Sequence, residues 1–573
     1  MRPTTEQFGV DDRPPFGVTF FTAIQHLAAI APPGLVLPVL VARHARADQA
    51  TMNAMLAGSM LALGIASLLQ CGRWRGGLGS GFLAPAIFTA AYLPPCFHAA
   101  ERGGLPLVAG MMIFAGACEV LLSRVLGRLR PWLPTEIAGL AVTMIGVVLG
   151  ILGFRLMFGL PETSAGAGPA MTVGTVIGLC SLAGIFFVNI WGPRPLRIYA
   201  VLIVLVVAWA AAAWLGEIDP EALREGFRHG VLGLPRPPLA LPQFDAGLAF
   251  EFAVTALASS LRTVGDLTTC QKINDPGWQR PDMVSLKRGL LADGLGNMIA
   301  GGLGTMGLSP FSGSIGISVA TGVKARRVGL AVGIIFIVLA FFPGAIALST
   351  SIPMPVSGAI LLFSSCFILI NGLQIILSRL LDNRKVLVVG LGLIFGLSRD
   401  IFPDFFNHLP LLAPLAASSL AEALLVAILL NFFFRIGTRM RAQLTLAPGD
   451  GAVDRVHAFC QAQGGAWAAR RDVMQRVTLA LAEFAETAGE VVEPGREAEI
   501  ELAFDEFHID ATIRYAGRAL EKADAGPGAA GPDLADGGEL PADLSLRIIG
   551  RMADRFTSGR QGGMQWLKLG FEH

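Results

Sequence analysis

From Phe16 to Arg435, apolar runs of about 18 to 25 residues follow one another, separated by short polar, Gly- or Pro-containing breaks. Runs of that length predict membrane-crossing helices, because about 20 apolar residues rising 1.5 Å each cover a hydrocarbon core of about 30 Å. The breaks divide the stretch into about fourteen segments, near 16–41, 52–71, 81–98, 105–127, 135–158, 171–191, 196–215, 247–266, 286–304, 310–322, 328–349, 355–378, 385–403 and 410–434. The third and tenth are short and interrupted by Gly and Pro. They hold matching positions in two halves of seven, which is the sequence pointer to an inverted repeat with a site between the halves. The pattern predicts an all-α polytopic membrane protein.

The stretch Gly307–Gly329, GLSPFSGSIGISVATGVKARRVG, is the most telling interruption. Small residues and a proline cannot carry an uninterrupted spanning helix. Irregular backbone at membrane depth survives only where it is buried in protein or lines a cavity. A half-helix whose N-terminal amides face such a cavity is how transporters hold polar solutes.

After Arg441 the pattern changes. Residues 450–573 are charged, with helical periodicity at Val453–Gln463, Arg471–Thr487 and Ala542–Arg555. Strand patterns fall at Glu499–Phe504, Ile509–Tyr515 and Met564–Phe571, and the Gly/Ala/Pro/Asp-rich stretch Asp524–Gly538 reads as a loop. The expected organisation is a polar tail over 1–15, a transmembrane domain over 16–441 and a soluble α+β domain over 442–573. The N-terminus has no signal-peptide pattern, so the first span is expected to stay in the mature protein.

Basic residues orient the spans. Loops after even-numbered segments carry Arg73 and Arg75; Arg124, Arg128 and Arg130; Arg194 and Arg197; Lys272, Arg280, Lys287 and Arg288; Lys324, Arg326 and Arg327; Arg379, Arg384 and Lys385; and Arg435, Arg439 and Arg441. By the positive-inside rule these loops, and with them both termini, face the cytoplasm. Arg43 and Arg46, and Arg224, Arg228 and Arg236, run against the pattern.

Composition narrows the function. Apolar residues make up 53 % and charged residues 15 %, against about 25 % charged in soluble domains, which excludes a soluble enzyme. A net charge of +1 gives no field for nucleic acid. The seven cysteines show neither CxxC nor Cys/His spacing, so they read as packing residues, with no metal, cofactor or catalytic residue implied.

Three motifs in order carry a resemblance: QHLAAIAPPGLVLPVL in the first segment, SSLRTVGDLTTCQKI in the eighth and SGSIGISVATG in the tenth. Together they resemble the nucleobase–ascorbate transporters, the uracil/xanthine permease family. Gln25, His26 and Pro38, then Gly265 and Asp266, then Gly316, Thr321 and Gly322 match its motifs, and the resemblance covers residues 16–435. It implies core and gate domains and secondary transport coupled to H⁺ or Na⁺. It also implies a nucleobase-like or small organic anion as substrate, residence in the cell membrane among its lipids, and frequent homodimerisation.

Departures from the family bear on the substrate. Arg262 stands where the family has a substrate-binding Glu, and Gly313 and Ser314 stand where it has an acid or amide followed by Asn. Ala84, Pro85, Ala86 and Ile87 replace Gly-Pro-Ser-Phe. A carboxylate accepts the imide N–H donors of a nucleobase; an arginine cannot, but pairs with carboxylates, oxyanions or an anionic purine. The expected substrate-binding residues are Arg262, Ser312, Gly313, Ser314, Ala86, Ile87 and Phe311. Arg262 either binds an anion or pairs internally with Asp266, one helical turn away. Asp266, His26, Gln25 and Thr321 are expected in ion coupling or bracing. Asp266 relays a proton, coordinates Na⁺ or anchors a helix end; His26 braces the site or contacts proton or substrate. Ser312 and Ser314 cap the half-helix or face substrate. Glu119 is positioned to pair with a neighbouring Arg, and Phe88 and Tyr92 are candidate cavity aromatics.

The tail resembles, more loosely, the ATP-binding fold of histidine kinases and anti-sigma factors, through VTLALAEFAETA and LSLRIIGRMADRF. Thr487 stands where that fold has its metal-binding Asn. Tyr515, Ala516 and Gly517 replace Asp-x-Gly, and Asp543, Leu544, Ser545 and Leu546 replace Gly-x-Gly-Leu. A degenerate regulatory or interaction domain with a cytoplasmic protein partner is expected. Two functions follow: a secondary transporter, or a transporter-derived sensor signalling through its tail.

Overall fold

The computed structural model describes residues 8–129, 135–160, 171–197, 199–218, 232–236, 241–275, 281–377, 381–402, 405–406, 418–434, 440–467, 469–505, 508–518 and 542–572. The chain forms two compact units, Met1–Phe433 and Phe434–His573.

The first unit contains α1 Phe16–His44, α2 Gln49–Cys71, strand β1 Ala86–Phe88, a 3₁₀ turn Ala90–Tyr92, and α3 Leu93–Leu129. There follow α4 Thr135–Phe158, α5 Val173–Ile190, α6 Arg194–Arg197, α7 Ala200–Trp214, α8 Ala246–Asn274 and α9 Met283–Gly302. Strand β2 Leu308–Pro310 leads into α10 Ser312–Thr321, then α11 Arg326–Leu339, α12 Pro343–Thr350, α13 Met354–Ile376, α14 Asn383–Ile401 and α15 Ser419–Phe434.

Local chemistry starts and stops these helices. Asp48, Thr172, Asp245, Asp282 and Asp382 each accept an amide hydrogen bond at the head of α2, α5, α8, α9 and α14. α3 is broken at Gly103 and Gly104, the latter at φ 66°, just before Pro106. α11 and α12 meet at a bend of 91° ahead of Pro343. Among the described residues six helices are long and apolar enough to cross a membrane, or seven with the bent pair as one span. α8 and α9, which cover the segments expected at 247–266 and 286–304, are not among these, and each carries buried charges: Arg262 and Asp266 in one, Asp293 in the other.

Helix packing sorts this unit into two groups. In one, α4 and α13 lie against each other, so that a Cβ on Gly153 would sit 2.8 Å from the Gly358 carbonyl. Ile177, Ile185, Val204, Ala208, Val356 and Ile360 knit α5, α7 and α13 together. In the other group α3 crosses α9 where Gly116 meets Gly294, and α2 crosses α11 where Gly64 meets Gly333.

The second unit is a five-stranded antiparallel sheet in the order β3-β4-β5-β7-β6, formed by β3 Met440–Leu446, β4 Ala498–Phe504, β5 His508–Tyr515, β6 Arg555–Gln561 and β7 Met564–Glu572. Helices α16 Ala452–Ala466, α17 Arg471–Val491 and α18 Ala542–Met552 complete it. Val456, Val477, Leu481, Phe484, Ile500, Ile513 and Leu567 share one core. The alternate residues Glu499, Glu501 and Arg514 form ion pairs on the other face, at 3.7 and 3.8 Å. Two edge strands lie outside the expected strand set: MRAQLTL alternates apolar and polar residues, with Ala442, Leu444 and Leu446 on the core side, whereas RFTSGRQ is mostly polar and carries no such signal. The helix expected to reach Arg555 stops at Met552, and Arg555 opens β6. Asp524–Gly538 lies outside the described residues.

Candidate functional site

The two interrupted segments meet. β1 and β2 pair antiparallel, with Ala86 opposite Pro310, Ile87 opposite Ser309 and Phe88 opposite Leu308. The Phe311 amide donates to the Pro85 carbonyl at 2.9 Å and the Thr89 amide to the Gly307 carbonyl at 3.0 Å. Each segment thus satisfies the other's extended backbone, which neither can do alone inside a membrane. α10 starts immediately after the pairing, and no side chain caps its N-terminus.

A cavity of about 850 Å³ opens beside this crossing, between the two helix groups. One wall is Ala29 and Pro33 of α1, Ile87 and Phe88 of β1, Arg262 of α8, and Phe311, Ser312 and Gly313 at the head of α10. The opposite wall brings Asn189 of α5, Arg197 of α6, Asn371 and Gln374 of α13, and Val142 of α4. Arg197 and Arg262 are the only charged side chains in this lining among the described residues.

Arg262 is 7 % exposed. Its Nη1 donates to Thr89 Oγ1 at 3.1 Å, and its Nε lies 3.7 Å from Asp266 Oδ2, across one helical turn. That separation is too long for a hydrogen bond, and Asp266 Oδ2 has no hydrogen-bond partner among the described residues. The guanidinium is held from two sides while its cavity edge stays open.

The other expected residues divide. Ile87, Phe311, Ser312 and Gly313 line the cavity with Arg262; Ala86, Ser314, Asp266, His26, Gln25 and Thr321 do not. The Ala86 amide instead donates to Ser67 Oγ at 3.0 Å. Asp266 does not anchor a helix end but sits inside α8, buried beside Arg262. Ser314 does not cap α10: its hydroxyl is buried and has no hydrogen-bond partner among the described residues. Thr321 bonds back to the Ile317 carbonyl at 2.8 Å, at the far end of the half-helix. His26 is fully buried, and among the described residues neither of its ring nitrogens nor Gln25 Oε1 has a hydrogen-bond partner. Phe88 lines the cavity, whereas Tyr92 turns away from it.

Behind Arg262 lies a polar cluster that sequence reasoning missed in part. The Tyr92 hydroxyl donates to Glu119 Oε1 at 2.8 Å, and Asn297 Nδ2 donates to Glu119 Oε2 at 2.7 Å and to the Leu308 carbonyl at 3.1 Å. Asn297 Oδ1 accepts from the Leu308 amide, and the Thr263 hydroxyl donates to Asp293 Oδ2. Among the described residues Glu119 therefore bonds to Tyr92 and Asn297, not to an arginine. Asn297 locks β2 to α9 and so fixes where α10 begins. Asp293 was open to the rule that singled out Arg262, a charge inside an apolar run.

A family model described as the Permease family, of the xanthine/uracil type, matches residues 17–404. Xanthine permease XanQ of Escherichia coli (strain K12) is 30 % identical over 465 residues, covering 77 % of this chain and 96 % of the relative. Xanthine permease XanP of the same strain is 28 % identical over 442 residues, covering 74 % and 94 %. Nucleobase transporter PlUacP of Paenibacillus larvae is 24 % identical over 440 residues, covering 76 % and 97 %. Among solved structures, the inward-facing murine Slc26a9 anion transporter superposes with a TM-score of 0.54 at 14 % identity, covering 77 % of this chain and 72 % of that one. At that identity the likeness concerns the fold.

Proposed function

Because this chain belongs to the xanthine/uracil type of the Permease family, and is therefore a membrane-embedded nucleobase transporter rather than an enzyme, we propose that it carries a purine in anionic form, or a small organic anion of similar size. The observation that carries this reading is the charge of the cavity. Arg262 and Arg197 line it and no carboxylate does, among the described residues. The bare N-terminus of α10 adds the positive end of a helix dipole at Ser312 and Gly313. Asn189, Asn371 and Gln374 can read the remaining donors and acceptors of a heterocycle. The volume of about 850 Å³ lies within the usual range of small-molecule sites.

The same reading takes the membrane part as fourteen spans in a 7+7 inverted repeat, with core and gate groups that rock about the cavity. The crossing of α3 on α9 through Gly116 and Gly294, matched by α11 on α2 through Gly333 and Gly64, supports it. So does the pairing of β1 with β2, which is what two corresponding broken spans would make across a pseudo-twofold axis. Both termini are placed in the cytoplasm, the coupling ion is H⁺ or Na⁺, and the family's habit favours a homodimer.

The test is direct binding of xanthine, urate and uracil to purified wild type and to Arg262→Ala. The anionic purine should bind the wild type and lose most of its affinity in the variant. Tight uracil binding that Arg262→Ala leaves unchanged would make the arginine structural and overturn the substrate reading.

A further inference from the structure

We propose that Glu119 and Asp293 together hold the transported proton, in a site behind the substrate cavity rather than in it. This deepens the reading above and rests on it for the coupling to substrate.

Three carboxylates, Glu119, Asp266 and Asp293, are buried in this part of the molecule at 0, 5 and 6 % exposure, with Arg262 as the cation beside them. One guanidinium cannot balance three carboxylates in a low-dielectric interior. Asp266 lies nearest to it, at 3.7 Å. No ion pair reaches Glu119 or Asp293 among the described residues. Glu119 and Asp293 stand on α3 and α9, which the Gly116–Gly294 contact presses together, and Asn297, one turn beyond Asp293 on α9, donates to Glu119. The charged and titratable groups that the packed elements bring to the pair are Tyr92 of the 3₁₀ turn, Arg262 and Asp266 of α8, and each other. Two like charges so placed share a proton.

The surrounding donors divide the roles within the pair. Tyr92 and Asn297 donate to both oxygens of Glu119, which favours its ionised form, whereas Asp293 accepts from Thr263 at Oδ2 and keeps its other oxygen for the shared proton.

Arg262 connects the pair to the cavity. Its side chain lines the cavity, and the next residue of α8, Thr263, donates to Asp293 behind it. An anion bound to Arg262 cancels that positive charge, and the pair then takes a proton from water on the open side. Release of anion and proton on the other side restores the starting state. Charge and atoms balance: one anion and one proton cross together, and linkage makes each favour the other's binding.

Infrared difference spectroscopy between mildly acid and mildly alkaline pH tests the site without any substrate. The wild type should show the carbonyl stretch of a neutral buried carboxylic acid that disappears on alkalinisation. Glu119→Gln and Asp293→Asn should each abolish or shift that band. Should either variant fail to fold, Tyr92→Phe removes one donor to Glu119 and must still move the band. A wild type without such a band, or one unchanged in the folded variants, overturns the proposal. Calorimetry with urate, which is already an anion at neutral pH, run on the alkaline side of that transition in buffers of different ionisation enthalpy, then counts protons. Wild type should take up about one proton per urate bound, and Glu119→Gln should take up close to none. Uptake undiminished in that variant overturns the proposal. If urate fails to bind at all while the band behaves as expected, the substrate reading fails and the proton site stands.

Discussion

Arg262 is restrained by Thr89 and balanced in part by Asp266, and both contacts are measurable. Removing the guanidinium leaves Asp266 buried without a counter-charge, a loss of about 3–5 kcal/mol for such pairs. Arg262→Ala should therefore both lower the unfolding temperature and abolish anion binding, read by thermal shift and equilibrium binding. Arg262→Lys keeps the charge but loses the planar fork, so stability should largely return while affinity stays low. Thr89→Val keeps the shape of the wall and deletes the acceptor at 3.1 Å. It should weaken binding by about 1–3 kcal/mol through a guanidinium left short of one partner. An affinity in Thr89→Val equal to wild type would mean that Asp266 alone positions the arginine.

At the scale of elements, the broken segments and the close helix crossings set the site. The Gly and Pro interruptions at 81–98 and 310–322 were legible, because their local chemistry forbids a continuous helix. That they pair as β1 and β2 was not, because a three-residue strand has no periodicity to read. Glu119 was visible as an acid in an apolar run, but its partners Tyr92 and Asn297 lie 27 and 178 residues away and no local pattern joins them. Asn189 and Gln374 reach the cavity from helices whose sequence is nearly uniform in hydropathy, so nothing marked which face looks inward. The glycine crossing is the cleanest test at this scale. A Cβ on Gly116 would stand 2.6 Å from the Gly294 carbonyl, a backbone atom that cannot step aside. Gly116→Ala should cost about 1–3 kcal/mol by forcing α3 from α9. Because that shift separates Glu119 from Asn297, substrate transport should fall with the unfolding temperature. A Gly116→Ala protein as stable and active as wild type would show that the helices are less closely apposed.

At the scale of the molecule, the contacts of the loops sort into two faces of the first unit, which turns the orientation into a prediction. On one face the Phe8 amide donates to the Gly322 carbonyl at 3.2 Å, and the Lys324 amide to the Phe8 carbonyl at 2.9 Å. Asp11 bridges Arg73 and Arg326 at 3.0 and 3.1 Å, and Lys324 Nζ reaches the Ile273 carbonyl at 2.7 Å. The N-terminal segment and the ends of the second, eighth and tenth segments are thus held together. On the other face Arg43 Nη2 donates to the Thr350 carbonyl at 3.2 Å, and Trp209 Nε1 to Ser351 Oγ at 2.8 Å. This gathers the ends of the first, seventh and eleventh segments and gives Arg43, which ran against the charge pattern, a backbone partner at its helix end. Alternate loops on alternate faces are what spans crossing in succession produce. The face holding Arg73, Lys324 and Arg326 is the basic one, so it should be cytoplasmic. In a variant whose seven native cysteines are replaced, Met171→Cys, ahead of α5, should react with an impermeant thiol reagent in intact cells. Trp74→Cys, just beyond α2, should react only after permeabilisation. Both positions are exposed, at 70 and 49 %, so failure to label cannot be ascribed to burial. The reverse pattern would invert the orientation and move the second unit, which follows α15, out of the cytoplasm with it.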